Sequence, residues 1–341
     1  MAFTRLLFLS MLFSLCGIQP TQAEETDQFT LPPGELFDLG PFASQRLYEV
    51  IAKVAAKTNS DIRMLAPRAE HSRIAASQLA ARLDGSYIVD RVYESTGPGF
   101  PRWLRWGRAL DHFKPLEFRE IRPWKTIYWR VFSQSPLAII GLTPTIKMFN
   151  HYFGTDKLGH FFMQGHTYYR MYSFFRAHGK SPQQARAAIV TYGKIIEQTY
   201  LGTLINGIYS NADLSSNYSG WKFYMNLMHS IKIGDRRLSP ILVLRGNQWQ
   251  FSKRVNKLTL LKPYLSDNLN EALNPSSYAF SRGQIRKLIL VRCPEWIERR
   301  QITHQIIEAK LKETRRWRGE DYGHWLPANY AVTLDTCFGG K

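Results

Sequence analysis

Five polar residues stand where the surrounding sequence has the spacing of buried helix. Asp156 and His160 lie in TDKLGHFF, Glu197 in YGKIIEQTYLG, and Asp213 and Asn217 in NADLSSNYSGW. A charge in such a setting must be paired, bind an ion or take up a proton. Three sites on three successive helices predict one shared polar centre.

On a helix, residues four apart share a face with an offset of about 40°. Asp156 therefore aligns with His160, and Thr167, Met171 and Phe174 continue the stripe. A carboxylate so placed fixes the imidazole tautomer, or both groups ligate one ion. The competing account is a helix-capping Asp156 with a satisfied core histidine. His166 lies about 120° round the cylinder from His160, so the i,i+4 pair of an HExxH zinc helix is not formed. His151 could approach from the preceding loop. Glu197 shares its face with Val190, Gly193, Leu201 and Leu204, while Ala188, Ile195, Ile196 and Thr199 occupy the other side. This helix is expected to be apolar nearly all round and central. Lys194, one turn earlier, offers Glu197 an internal ion pair. Asp213 and Asn217 repeat the i,i+4 spacing, with Gly220 and Tyr224 on the same side; Gly220 allows close approach of a helix or ligand. Asp213 also suits an N-cap. Asn206, Gly207 and Tyr209 could add groups to the same mouth.

Three chemistries fit these residues. Asp156, His160, Glu197 and Asp213 could bind a divalent metal with mixed nitrogen and oxygen ligation. Without metal, His160 and Glu197 could exchange protons as an acid/base pair beside Asp156, with Asn217 and Lys157 orienting substrate. The same groups could instead form a structural polar network. No G-x-S-x-G elbow, Gly-rich phosphate loop or CxxC pair accompanies them.

The elements that must position these groups are mostly helical. Residues 1–23 read as a signal peptide: Arg5, the apolar LLFLSMLFSL, and a small-residue cleavage site at Thr21-Gln22-Ala23. Lipidation at Cys16 would need a smaller residue than Leu15 before it. Residues 24–43 read as an extended arm punctuated by Pro32-Pro33-Gly34. Helical patterning begins at Ser44, with Leu47, Val50, Ile51 and Val54 at spacings of three and four. A second helix is expected from Ala69 to Leu83, ended by Asp84-Gly85, and then a loop from Glu94 to Trp106. Three helices should fill Thr155 to His229, broken at Ala177–Pro182 and Asn206–Ala212. Residues 44–234 thus form a helical body carrying the site. Residues 235–341 form a smaller α+β portion with a hairpin in PILVLRGNQWQFS, strands in NKLTLL and IRKLILVR, and a basic amphipathic helix in WIERRQITHQIIEAKLKETRRW with Ile302, Ile306 and Leu311 on one side. The expected class is mainly α (α+β overall), with a small antiparallel β-containing C-terminal portion. The most apolar later segment, PLAIIGLTPTIKMF, is shorter than the roughly 18 residues a span requires.

With Cys16 removed, Cys293 and Cys337 remain, and an exported chain would pair them as a disulfide. The formal net charge is +18, and the basic residues cluster with aromatic ones in PRWLRWGRALDHFKPLEFREIRPWKTIYWR and ETRRWRGEDYGHW. Behind a signal peptide this pattern favours an anionic lipid or envelope polymer over nucleic acid. Trp and Arg both suit a membrane–water interface. An ordinary surface with some buried Trp is the alternative.

The run Asp156-Lys157-Leu158-Gly159-His160, then Glu197, then Asp213, Asn217 and Gly220 resembles the VanZ-like group of bacterial envelope proteins and the related small YfiM-type lipoproteins. Their pattern is D-K-x-x-H opening a helix, a glutamate in the next, then D-x-x-x-N-x-x-G. The resemblance covers residues 155–220 and implies a cell-envelope setting and a shared three-helix site. The chain departs from VanZ-like proteins in lacking their membrane spans and in its long flanking segments. The expected function is an exported, periplasmic or membrane-peripheral envelope protein. It would be a hydrolase or transferase acting on an anionic lipid or cell-wall component. The alternative is a non-catalytic protein that binds such surfaces through its Arg/Trp segments.

Overall fold

The computed structural model describes residues 24–96, 123–132, 141–199, 202–203 and 207–339. The predicted signal peptide, most of the first Arg/Trp-rich segment and residues 97–106 of the loop expected from Glu94 to Trp106 lie outside these residues, while Glu94 to Thr96 are helical rather than loop. Among the described residues the chain is mainly helical, with several two-stranded sheets.

The N-terminal arm is not a solvent-exposed leader into the fold. Strand β1 (Glu24–Glu25) pairs in parallel with β2 (Gly141–Leu142), and residues 25–31 are buried. Helix α1 (Gly40–Ala69) starts four residues before the expected Ser44, because Pro41 suits a first turn and Asp38 accepts the Gly40 N–H at 2.9 Å. Ser44 lies inside α1, its hydroxyl accepting the Leu261 N–H. Helix α2 (Arg73–Leu83) is capped by Ser72, and α3 (Gly85–Thr96) follows at once, so Asp84-Gly85 divides two helices rather than ending the helical run. Helix α4 is short (Ile127–Phe132).

A hairpin of β3 (Thr145–Met148) and β4 (His151–Gly154) interrupts the predicted helical body and leads into the site. Its turn residues Phe149 and Asn150 both have positive φ, a conformation with no clear signature in FN. Helix α5 (Asp156–Gly159) passes through a π-helical turn, His160–Gln164, into α6 (Gly165–Ala177). That turn shifts the phase of the helix face, so the predicted stripe from His160 to Phe174 breaks and Phe174 is exposed. Helix α7 (Pro182–Gln198) opens on a capping box between Ser181 and Gln184. Strand β5 (Ile208–Tyr209) precedes α8 (Asn211–Met228).

The central helix is α8, not α7 as the periodicity suggested. Every residue of α8 except Met225 and Met228 is buried, whereas α7 exposes Ile195 and most of its first turns. The Ser and Asn side chains of α8 disguise it as a surface helix; several are spent on neighbouring backbone, as when Ser216 donates to the Lys157 carbonyl at 2.5 Å. Gly220 in α8 and Gly165 in α6 let the two backbones touch: a methyl group on Gly165 would lie 2.6 Å from the Gly220 main chain.

Beyond α8 come two hairpins, β6 (Ile231–Ile233) with β7 (Arg236–Leu238), and β8 (Leu242–Arg245) with β9 (Gln248–Phe251). The second is the predicted hairpin, turning at Gly246-Asn247. NKLTLL is turn rather than strand, and strand β10 (Ser277–Tyr278) pairs instead with β5. IRKLILVR is not a strand either. It lies within helix α9 (Arg282–Arg300), whose buried Ile285, Ile289, Cys293 and Trp296 recur every three or four residues. The expected long amphipathic helix is broken at Gln301, which adopts a left-handed conformation, and resumes as α10 (His304–Thr314), capped by Thr303. Ile302 is therefore buried while Ile306 is exposed. A disulfide joins Cys293 to Cys337 as expected, with 5.4 Å between the Cα atoms.

Two apolar clusters result. One gathers α1, α3, α6, α8 and the late hairpins; the other gathers the arm, α4, α9, α10 and the C-terminal turn around Leu334. The polar centre sits between them.

Candidate functional site

Lys157 is the hub of the centre. Its side chain is wholly buried, and its ammonium donates to Asp156 Oδ2 at 2.6 Å, to Glu271 Oε1 at 2.5 Å and to Asp213 Oδ1. These three carboxylates present oxygens within 4.8 Å of one another. Asp156 and Lys157 come from the first turn of α5, after the N-cap Thr155. Asp213 comes from the first turn of α8, where Ser210 rather than Asp213 is the N-cap. Glu271 comes from an Asn-rich loop, its N–H held by the Gln28 side chain at 2.6 Å.

An outer ring completes these bonds. Thr26 of the arm donates to Asp156 Oδ1 at 2.7 Å, and Thr143 reaches the same oxygen at 3.1 Å. Tyr128 donates to Glu271 Oε2 at 2.9 Å and lies 2.6 Å from the Tyr278 hydroxyl. Gly154 must be glycine, because a Cβ there would collide with Thr26 and Asp156.

His160 stands at the edge of the centre, its side chain 15 % exposed. Its Nε2 lies 3.2 Å from Asp213 Oδ2 and its Nδ1 lies 3.1 Å from Asn217 Oδ1. The Nδ1–Asn217 contact is a hydrogen bond whose direction depends on the tautomer, and the Nε2–Asp213 contact is an ion-pair approach. Glu197 is buried one layer away, its Oε1 accepting the Ser210 N–H at 2.8 Å. The main charges acting on it are Asp213, Lys157 and Glu271, so the nearby cation is Lys157 and not Lys194.

The electrostatics follow from one ammonium serving several acids. Burial alone would depress Lys157, but Asp156, Asp213 and Glu271 hold it well above the usual lysine range. Burial works to raise Asp156, yet Lys157 and the Thr26 hydroxyl outweigh it and keep that carboxyl low. Burial and its acidic neighbours leave Glu271 raised to about 7 despite Lys157. Glu197 is pushed well up by burial and by Asp213. So is Glu25, by burial, Glu271 and Asp213.

The structure thus brings together Asp156, Lys157, His160, Asp213 and Asn217 among the residues singled out from sequence. The three carboxylates close enough to share one ion are Asp156, Asp213 and Glu271; His160 joins through Asp213, and Glu197 lies outside that group. His166 is turned away, bonded to Asp90 at 2.9 Å and stacked on Tyr93. His151 bonds Asp267 at 2.7 Å. Sequence reasoning missed Glu271, Glu25, Thr26 and Tyr128. Glu271 lies in a polar loop, DNLNEALN, and Glu25 in an arm of surface-like composition, where neither carries a periodic signal.

No protein-family model matches the chain, and no curated protein or solved structure matches it.

Proposed function

We propose that the chain works at an anionic envelope surface, to which it docks through a cationic aromatic face formed by α4 and α9. One observation carries this reading. Trp124 and Trp129 are 55 % and 46 % exposed, and with Arg130, Lys287 and Leu288 they line an open groove of about 580 Å³. Gln284, Lys287, Leu288 and Val291 form one stripe of α9 along this groove and its neighbour, and Val291 is 72 % exposed. Lys125 and Arg292 line the adjoining hollow, and among the described residues no acidic side chain lines either. Indole rings and aliphatic side chains ringed by basic groups match the boundary between lipid tails and anionic head groups. The net charge of +18, the signal-peptide pattern and the envelope resemblance support the same setting. No helix among the described residues is long and apolar enough to cross a membrane.

Liposome sedimentation tests the reading. The parent should sediment with anionic vesicles and release in high salt, and Trp124→Ser with Trp129→Ser should weaken binding without changing the melting temperature. Equal partitioning to anionic and neutral vesicles would defeat it.

A second reading, a hydrolase or transferase acting on such a surface, is favoured by the His160–Asp213 pairing, where the His160 side chain is 15 % exposed. In it His160 and Asp213 move protons and Asn217 orients substrate, while Lys157, fully buried, holds the carboxylates in place rather than touching substrate. Loss of cellular function in His160→Ala at unchanged melting temperature is the expected result; retained function excludes it.

A further inference from the structure

Where the arm, the β3–β4 hairpin, the loop at Asp267 and the elbow between α9 and α10 meet, they leave a cavity of about 260 Å³. Bonds between these elements fix its walls. Trp296 Nε1 donates to the Phe29 carbonyl at 2.7 Å, Asn270 donates to the Tyr152 carbonyl at 2.8 Å, and Lys310 donates to Asp267 Oδ2 at 2.7 Å. The cavity is therefore formed before any ligand arrives, which lowers the cost of binding one. Part of the lining is apolar: Leu31, Leu273, Trp296, Ile302 and Ile307 all belong to the second apolar cluster. Ile306 lines it too and is 45 % exposed, an apolar surface that a guest would cover.

The polar lining is short of an acceptor. Gln28 is buried, and its Oε1 takes the Glu271 N–H at 2.6 Å. That bond fixes which way the amide faces, and it leaves Nε2, a donor only, without a partner. Arg300 lies over the Tyr152 ring, its Cζ 4.4 Å from the centroid, and its ion pair with the exposed Glu35 is 3.5 Å long. Lys310 bonds the exposed Glu313 at 2.9 Å besides Asp267. Exposed pairs of this kind contribute little and give way to an anion held from within the cavity. Among the described residues Asp267 is the one acid in the lining, and His151 and Lys310 each bond it at 2.7 Å.

We propose that this cavity binds a small amphipathic carboxylate, its anionic end toward Arg300 and Lys310 and its chain against Trp296, Ile302 and Ile306. Arg300 and Lys310 against Asp267 leave a surplus of one positive charge, which a carboxylate matches and a phosphate ester, with nearly two charges, exceeds. The volume lies below the roughly 300–1,000 Å³ of sites for drug-sized ligands, so the guest is a short chain and not a whole lipid. The site is separate from the groove of Trp124 and Trp129, and the surface reading does not need it.

Titration calorimetry of the full chain with octanoate tests the proposal. The parent should bind one octanoate with a dissociation constant of about 1 mM or tighter, and octanol, the same chain without the charge, about tenfold or more weakly. Arg300→Gln and Ile306→Glu should each weaken octanoate about tenfold or more, with the melting temperature in the absence of ligand unchanged. Trp124→Ser with Trp129→Ser should leave octanoate binding as it is, whatever becomes of liposome binding. Absence of saturable heat in the parent overturns the site. Octanol binding as tightly as octanoate overturns the anionic class, and octyl phosphate binding more tightly overturns the carboxylate. Octanoate binding that survives Arg300→Gln and Ile306→Glu, or that is lost in the tryptophan variant, overturns the location. If Arg300→Gln loses stability, Ile306→Glu, a change at an exposed side chain, decides.

Discussion

Replacing Lys157 with Met removes the ammonium from three buried carboxylates and keeps most of the side-chain volume. Removing one partner of a buried ion pair destabilises by about 3–5 kcal/mol, because the other charge stays buried without compensation. Here three acids lose the same partner, and each side chain is no more than 2 % exposed, so the upper part of that range is expected. The sign with pH is specific. Glu271 sits at about 7 even beside Lys157, well above its ordinary 4.5. A carboxyl raised on folding contributes stability that is full below the unfolded value and lost as pH rises through the folded one. Without Lys157 this group rises further, so the penalty in Lys157→Met should be larger at pH 8 than at pH 5. Guanidinium melts at both values, with chelator present so that no divalent ion contributes, read the difference as a shift in midpoint at constant slope. Adding Glu271→Gln to Lys157→Met should restore part of the loss at pH 8, a coupling expected only of groups in contact. A loss below about 1 kcal/mol at pH 8 would put Lys157 in the class of surface pairs and refute the buried hub.

Three further outcomes follow from the packing and titration. Gly220→Ala forces a methyl into the Phe161 carbonyl and should cost roughly 1–3 kcal/mol, whereas Gly283→Ala, with open space around it, should be neutral or slightly stabilising; paired chemical melts check both. The Cys293–Cys337 bridge closes a separation of 44 residues, so reducing it should lower stability by about 4 kcal/mol, read from melts with and without dithiothreitol. Burial and Arg315 hold His324 down at about 4, and its Nε2 lacks a partner. The unfolded chain then binds the extra proton, so stability falls as pH drops from about 6.5 to about 4, by up to about 3 kcal/mol, and His324→Asn should flatten that part of the melting-temperature profile.

Local pattern carried much of this fold and less of its centre. The two breaks between α6, α7 and α8 were readable from Ala177–Pro182 and Asn206–Ala212 because capping and turn residues act over one or two turns. The hairpin at Gly246-Asn247 was readable for the same reason. The disulfide followed from there being two cysteines left to pair. Errors arose where tertiary contacts override pattern. IRKLILVR has an apolar run that suits strand or helix, and its pairing with α4 and the C-terminal turn decides for helix. The π-helical turn at His160 shifts the phase of a face that was read as continuous, and nothing in HFFMQ announces it. Asp156, His160, Asp213 and Asn217 stood out because each is a polar residue at i,i+4 spacing in an apolar context. Glu271 and Glu25 did not, since a loop or an arm carries acids routinely and only the fold shows them buried.

That asymmetry explains how the centre specifies the fold. Its members come from the arm, α5, α8 and the loop around Glu271, so no local segment can satisfy Lys157 alone. The arm cannot bind elsewhere at similar stability, because Thr26 meets Asp156, Gln28 meets the Glu271 N–H, Asp27 caps the start of α4 and the Phe29 carbonyl accepts the Trp296 indole at 2.7 Å. Each contact links the arm to a different element, and together they span both apolar clusters. A hydrophobic seam would tolerate sliding of one cluster on the other. A lysine with three fixed acceptors does not, since a slip of one bond leaves a buried charge unpaired. The polar centre therefore sets the register between the two halves, and the same rigidity fixes His160 against Asp213 and Asn217.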